Sequence, residues 1–134
     1  KQFRLMLVED NEVNQLVTRG MLSKLGYQVK TVSNGETALA LVDQEGFDLI
    51  LMDCMMPEMD GFEVTRQLRE REKQNDGLRT PVVAITANTA EGVQARCLAA
   101  GMDDFLAKPV HLDALETVLR RWLPAEPDQD EDAE

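Results

Sequence analysis

Three stretches of this chain are apolar at every position: Leu5-Met6-Leu7-Val8, Leu49-Ile50-Leu51-Met52 and Val82-Val83-Ala84-Ile85. None shows the alternation of a strand with one wet face, each is too short for an ordinary helix, and charged or turn-forming residues bound them. A strand buried on both faces belongs in a parallel sheet covered by helices on both sides. Helical patterns between these runs supply the cover. Asn11, with Asp10 as the competing choice, caps a segment carrying Val13, Leu16, Val17, Met21 and Leu25 at helical spacing, stopped by Gly26. Gln28 to Val32 reads as a short alternating strand, Ser33-Asn34-Gly35 as a turn, and Ala38, Leu39, Leu41 and Val42 as a helix ending near Gly46. After the Pro57 and Asp60-Gly61 turn signals, a charged amphipathic helix reaches about Lys73, with Phe62, Val64 and Leu68 inward. Asn75-Asp76-Gly77 is a loop. A weakly patterned helix over roughly 90–100 is closed by Gly101. Phe105-Leu106-Ala107 is a short strand, and Leu112, Leu115, Val118, Leu119 and Leu123 form the inner face of a last helix ended by Pro124. Five strands alternating with five helices predict an α/β fold, a doubly wound parallel sheet with right-handed crossovers.

The chain has 134 residues, enough for one domain, 1–123. Its net charge of −11 is unevenly placed. Six acidic residues and no basic ones fall in 124–134, which reads as an acidic disordered tail or linker. The body keeps 19 acidic and 14 basic residues, a net of −5, which argues against non-specific nucleic-acid binding. Cys54 and Cys97 form no CxxC pair, and there is one histidine, so spacing offers neither a disulfide framework nor a zinc site and fits a reducing compartment. No apolar run approaches the ~20 residues of a membrane helix. No signal peptide is visible, and a start at Lys1 rather than Met is compatible with a piece of a longer protein.

Polar residues fall where the strands end. Glu9-Asp10, Asp53, Thr86 and Lys108 follow or finish four of the five strands. In a parallel sheet those ends share one edge, and the order 2-1-3-4-5 sets strands one and three side by side at the switch point. Glu9, Asp10 and Asp53 then become neighbours whose mutual repulsion calls for a cation. Oxygen ligands without imidazole point to Mg²⁺. Asp53 can act as nucleophile and carry a phosphoryl group as an acyl phosphate. Lys108 would offset charge on the transferring oxygens, and Thr86 could donate a hydrogen bond to them. Taken singly, each has a plainer role: a turn acid, a helix cap, a surface lysine.

Val8-Glu9-Asp10-Asn11, Leu51-Met52-Asp53-Cys54-Met55-Met56-Pro57-Glu58-Met59-Asp60-Gly61, Ile85-Thr86-Ala87 and Phe105-Leu106-Ala107-Lys108-Pro109 occur in order over about residues 4–123. This set resembles the response-regulator receiver domain of two-component phosphorelays. The resemblance implies a flavodoxin-like (βα)5 fold and a phosphoacceptor domain in which Asp53 takes a phosphoryl group from a phosphohistidine on a partner. That partner would be a histidine kinase or a histidine-containing phosphotransfer domain. It implies Mg²⁺ held by Glu9, Asp10, Asp53 and the Met55 carbonyl, with Thr86 and Lys108 contacting the phosphoryl group. Thr86 and Phe105 stand at the family's switch positions. Asp10-Asn11-Glu12-Val13-Asn14-Gln15 is most similar to receivers of hybrid sensor kinases. The implied location is cytoplasmic, free or as the cytoplasmic part of a membrane-anchored kinase, with no membrane contact by the domain itself. Such a domain is no conventional enzyme: it catalyses its own phosphorylation and slow dephosphorylation.

Glu9 replaces the commoner aspartate. Met55 and Asn88 occupy positions that flank the phosphoryl group in this family, and Met55 has no polar side-chain atom to orient a water, so self-dephosphorylation should not be unusually fast. A Mg²⁺-dependent phosphatase with an aspartyl nucleophile would need a second aspartate two residues on, where Met55 stands. A flavodoxin-type carrier would need a phosphate loop after strand one, where Glu9-Asp10 would repel it. A receiver that only binds partners would not require the full set of acids, Thr86 and Lys108. His111 reads as an exposed or helix-start residue. Cys54 reads as a small core residue, Met52, Met55, Met56 and Met59 as core and loop packing, and Trp122 as packing.

Overall fold

The structure, a computed structural model, describes residues 3–56, 59–75, 77, 79–87 and 91–123. Segment 124–134, Pro57, Glu58 and Asn88 lie outside the described residues. The strands are β1 (Arg4–Val8), β2 (Gln28–Val32), β3 (Leu49–Asp53), β4 (Val82–Thr86) and β5 (Asp104–Ala107). The helices between and after them are α1 (Glu12–Lys24), α2 (Gly35–Gln44), α3 (Gly61–Gln74), α4 (Glu91–Ala100) and α5 (Leu112–Trp122). All strand pairs are parallel, and the sheet order is β2-β1-β3-β4-β5. Leu7 lies opposite Leu51, and Leu51 opposite Val83, so the three apolar runs form the centre of the sheet.

Alternate side chains of these runs feed two cores. Met6, Val8, Ile50, Met52, Val82 and Ala84 pack with Leu39 of α2, Phe62 and Leu68 of α3, and Cys97 of α4. Leu5, Leu7, Leu49, Leu51, Val83 and Ile85 pack with Leu22 of α1 and Leu115 and Leu119 of α5. Burying each large side chain contributes about 1.5–3 kcal/mol. This explains the absence of alternation in the sequence: both faces are dry.

Side-chain caps fix where helices begin. Asn11 accepts from the Asn14 amide at 3.0 Å, Asn34 from Thr37 at 2.8 Å and Asp60 from Glu63 at 3.0 Å. Each cap is worth about 1 kcal/mol. Asn11, not Asp10, therefore caps α1, which leaves the Asp10 carboxylate for other work. Asp60-Gly61 is not a turn but the cap and first residue of α3. Gly26 and Gly101 close their helices at φ of +92° and +105°, which glycine adopts without a Cβ penalty.

Helix α1 departs from the simplest reading of its pattern. Val13 and Leu16 are each 68% exposed and Val17 50% exposed, while Thr18 and Leu22 are buried. At about 100° per residue, Leu22, Leu25 and Met21 lie close to the direction of Thr18, whereas Leu16 points about 160° away. The apolar residues of α1 thus mark two faces, one on the sheet and one in solvent. Met55 also differs from the packing role expected of it, being 68% exposed, whereas Met52 and Met56 are buried. Among the described residues no helix is long and apolar enough to cross a membrane.

Leu51→Ala, at a fully buried position, should lower unfolding free energy by about 2–5 kcal/mol. Leu16→Ala should change it by less than about 0.5 kcal/mol. Urea denaturation of the two variants checks both; equal losses would mean that the outer face of α1 is covered.

Candidate functional site

The parallel register brings the predicted residues to one edge. Val8 pairs with Met52, Asp53 with Ile85, and Thr86 with Ala107. Glu9 follows β1, Asp53 ends β3, Thr86 ends β4 and Lys108 follows β5. Glu9, Asp53 and Thr86 are buried and Asp10 is exposed. Glu9, Asp10 and Asp53 each present a carboxylate oxygen, all within 4.8 Å of one another. The Lys108 ammonium lies 3.1 Å from Asp53 Oδ1 and 3.8 Å from Glu9 Oε1. The Met55 backbone N–H also donates to Asp53 Oδ1, at 3.1 Å. The Lys108 backbone N–H donates to the Thr86 carbonyl at 2.8 Å, which ties the fourth and fifth strand ends together.

Three carboxylates meet one ammonium here, so the pocket carries excess negative charge. Burial first, and then the Asp53 carboxyl beside it, push Glu9 up to about 7, while the Asn11 amide and Lys108 pull the other way. Asp53 Oδ2 is buried and has no hydrogen-bond partner among the described residues. A proton shared with Glu9 or a cation must satisfy it. All-oxygen donors fit a hard divalent cation such as Mg²⁺. The thiol next in sequence is no competitor: burial pushes Cys54 up to about 12, so it stays protonated.

The loop leaving Asp53 is held by close packing. A Cβ on Gly61 would sit 2.4 Å from the Asp53 carbonyl oxygen and 2.9 Å from Met52 Cγ, so only glycine lets the start of α3 rest on the end of β3. The Gly61 amide donates to the Cys54 carbonyl at 3.2 Å. Arg96 of α4 lies 4.1 Å over the Phe62 ring and 3.9 Å from Asp60, joining α4 to the same corner. These roles of Gly61 and Arg96 were not legible in the sequence: a DG pair reads as a turn, and α4 has almost no periodic pattern.

Phe105 is half-buried and packs against the core that contains Ala84, its partner across the strands. Thr86, two residues along from Ala84, lies on the same face of the sheet as Phe105. His111 occupies the cap position of α5, exposed and without a side-chain cap bond. Trp122 packs against the core beneath α5, as expected, and also donates its indole N–H to Asp104 at 2.9 Å. Beside the acidic pocket, a cleft of about 380 Å³ runs between α1 and residues 108–110, lined by Glu9, Val17, Ile85, Lys108 and Pro109 among others.

The response regulator receiver domain family matches residues 5–120. Hybrid signal transduction histidine kinase B of Dictyostelium discoideum is 44% identical over 129 residues, covering 90% of this chain and 7% of the kinase. Sensor histidine kinase RcsC of Salmonella typhi is 40% identical over 115 residues, 86% of this chain and 12% of the kinase. The chain thus spans a small part of these relatives' length. A solved receiver domain of a Pseudomonas aeruginosa PAO1 sensor histidine kinase, with magnesium coordinated in its active site cleft, is 42% identical with a TM-score of 0.82, covering 93% of this chain and 100% of that one. The receiver domain of a Saccharomyces cerevisiae response regulator, solved with a histidine phosphotransfer protein, is 32% identical with a TM-score of 0.86, covering 90% and 88%.

Metal binding should be pH-dependent. A cation competes with the proton on Glu9, so apparent Mg²⁺ affinity should rise as pH passes upward through about 7, and by up to about tenfold per unit below it. The metal-free fold has the opposite sense. Because the folded-state value of Glu9 is raised, its contribution to stability is full below about 4.5 and is lost as pH rises through about 7. Glu9→Gln should flatten both profiles; Mg²⁺ titrations and thermal melts between pH 5.5 and 8.5 read them. An unchanged Mg²⁺ profile in Glu9→Gln would assign the proton elsewhere.

Proposed function

The chain belongs to the response regulator receiver domain family, and from that premise we propose that Asp53 is the phosphoacceptor of a two-component phosphorelay. The observation that carries this reading is the state of its carboxylate. One oxygen is held by Lys108 and the Met55 amide, and the other is buried without a hydrogen-bond partner among the described residues. An Asp53 oxygen attacks the phosphorus of a phosphohistidine on the partner. The P–N bond breaks, its electron pair returns to the imidazole, which takes up a proton, and an acyl phosphate forms on Asp53. Lys108, 3.1 Å from Asp53, offsets charge on the phosphoryl oxygens. The Thr86 hydroxyl donates to one of them. Glu9, Asp10, Asp53 and the Met55 carbonyl would hold Mg²⁺, which when bound supplies positive charge to the same oxygens.

Movement of Thr86 toward the phosphoryl group leaves room for Phe105, on the same sheet face, to turn further in. The surface of α4, β5 and α5 then shifts in population between two arrangements. The donor is a histidine kinase or a histidine-containing phosphotransfer domain, and the outer face of α1 supports this. Val13, Leu16 and Val17 are exposed apolar residues, and Val17 also lines the cleft that leads to Lys108. An exposed apolar patch at the mouth of a reactive site suits a protein partner that presents its histidine there. The two free, buried cysteines suit a cytoplasmic location.

Incubation with phosphoramidate and Mg²⁺ should add one phosphoryl group to the intact mass, and Asp53→Asn should add none; a folded wild type that gains nothing overturns the assignment. The phosphoryl half-life should exceed a few seconds in the isolated domain with Mg²⁺. Leu16→Lys should slow transfer from a phosphorylated phosphotransfer protein at least about tenfold, the loss of one apolar anchor. The same variant should leave phosphoramidate labelling unchanged. Equal rates from the protein donor would move the dock off α1.

A further inference from the structure

One part of the Asp10–Gln15 motif has no role in the phosphoryl chemistry. Gln15 is half-buried in the first turn of α1. Its side-chain amide donates one proton to the Glu9 backbone carbonyl and the other to the Ser33 hydroxyl at 3.2 Å. The Glu9 carbonyl belongs to the peptide unit that carries the Asp10 amide. That unit is planar, so fixing its oxygen fixes the direction in which the chain enters Asp10. Asp10 is exposed and needs such a constraint more than Glu9 does. Glu9 is held at three other points: its amide donates to the Val32 carbonyl at 3.0 Å, its carboxylate accepts from the Asn11 amide at 3.2 Å, and Lys108 lies 3.8 Å from Oε1. The backbone of Gln15 is itself anchored, its amide donating to the Asn11 carbonyl at 2.9 Å. The side chain is therefore a short strut from a rigid helix turn to the loop after β1, braced on the loop after β2.

We propose that Gln15 is a positioning residue for the acidic pocket, holding the Glu9–Asp10 peptide so that the Asp10 carboxylate meets Glu9 and Asp53 at cation-binding distance. The proposal rests on the reading of Glu9, Asp10 and Asp53 as a divalent cation site. It also explains why glutamine suits this position: the strut needs two N–H donors on one planar group, which neither glutamate nor a hydroxyl side chain offers.

Gln15→Glu keeps the size and shape of the side chain, replaces both donors by acceptors, and adds a negative charge near the site. If Gln15 only fills space, Mg²⁺ binding is unchanged or tightened by that charge. If it is the strut, its carboxylate repels the Glu9 carbonyl, and Mg²⁺ binds about tenfold more weakly despite the extra charge, the lower end of what groups behind metal ligands contribute. Mg²⁺ titrations followed by the amide resonances of Asp10 and Asn11 measure the dissociation constant without any phosphoryl chemistry. Ser33→Ala, which removes one end of the brace, should weaken binding by a smaller factor. A second measurement needs no variant: in the wild type, the Gln15 side-chain amide protons should exchange with water more slowly than those of an exposed glutamine such as Gln74. Equal or tighter Mg²⁺ binding in Gln15→Glu, or free exchange of the Gln15 amide, overturns the proposal while leaving the cation site standing. Failure of the wild type to bind Mg²⁺ overturns both.

Discussion

The central strands of a parallel sheet covered on both faces have no room for an ionisable side chain except at their ends. β1, β3 and β4 are buried along almost their whole length, and their side chains feed two dry cores. Every unpaired charge there would cost several kcal/mol. The chain meets this limit by letting its charges begin where the strands stop: Glu9 one residue past β1, Asp53 on the last residue of β3, Lys108 one residue past β5. Parallel direction then collects them at one edge, and the adjacency of β1 and β3 brings the acids within 4.8 Å. The site is thus a by-product of the same constraint that makes the fold stable. Its electrostatic imbalance, three carboxylates against Lys108, is what leaves it in need of a cation or a proton.

Stability and reactivity therefore pull against each other at Asp53. It is as buried as the leucines beneath it, yet among the described residues one of its oxygens lacks a hydrogen-bond partner. Around it the backbone is fastened closely: Gly61 against its carbonyl, the Met55 amide on its side chain, and Arg96 reaching from α4 to Asp60 and Phe62. α3 thus meets the end of β3 directly at Gly61, and α4 reaches the same corner through Arg96.

The fold was almost fully legible in the sequence, since unbroken apolar runs have few uses and turn residues punctuate them. The clustering of acids was legible too, because strand-end position together with the order 2-1-3-4-5 placed Glu9, Asp10 and Asp53 at one edge. What the sequence hid depended on direction within an element. Residues 13, 16, 17 and 21 of α1 and residue 25 at its C-cap share helical spacing in a loose sense, but only rotation about the helix axis separates the exposed face from the buried one. Met55 was obscured likewise, because an apolar side chain on a loop gives no sign of being turned to solvent. Gly61 required knowledge of what its Cβ would strike, and Gln15 of which carbonyl its amide reaches. Both are facts of three-dimensional proximity with no periodic trace.

The two cysteines carry a practical consequence. Cys54 and Cys97 are each 1% exposed, and burial holds both thiols above their ordinary value. Alkylating and disulfide-exchanging reagents act on the thiolate, so both native sulfurs are silent toward them while the fold is intact. A single cysteine introduced on the outside of α1 or α5 would be the one position such a reagent finds, and a spectroscopic label there could follow this domain without removing any residue from its interior.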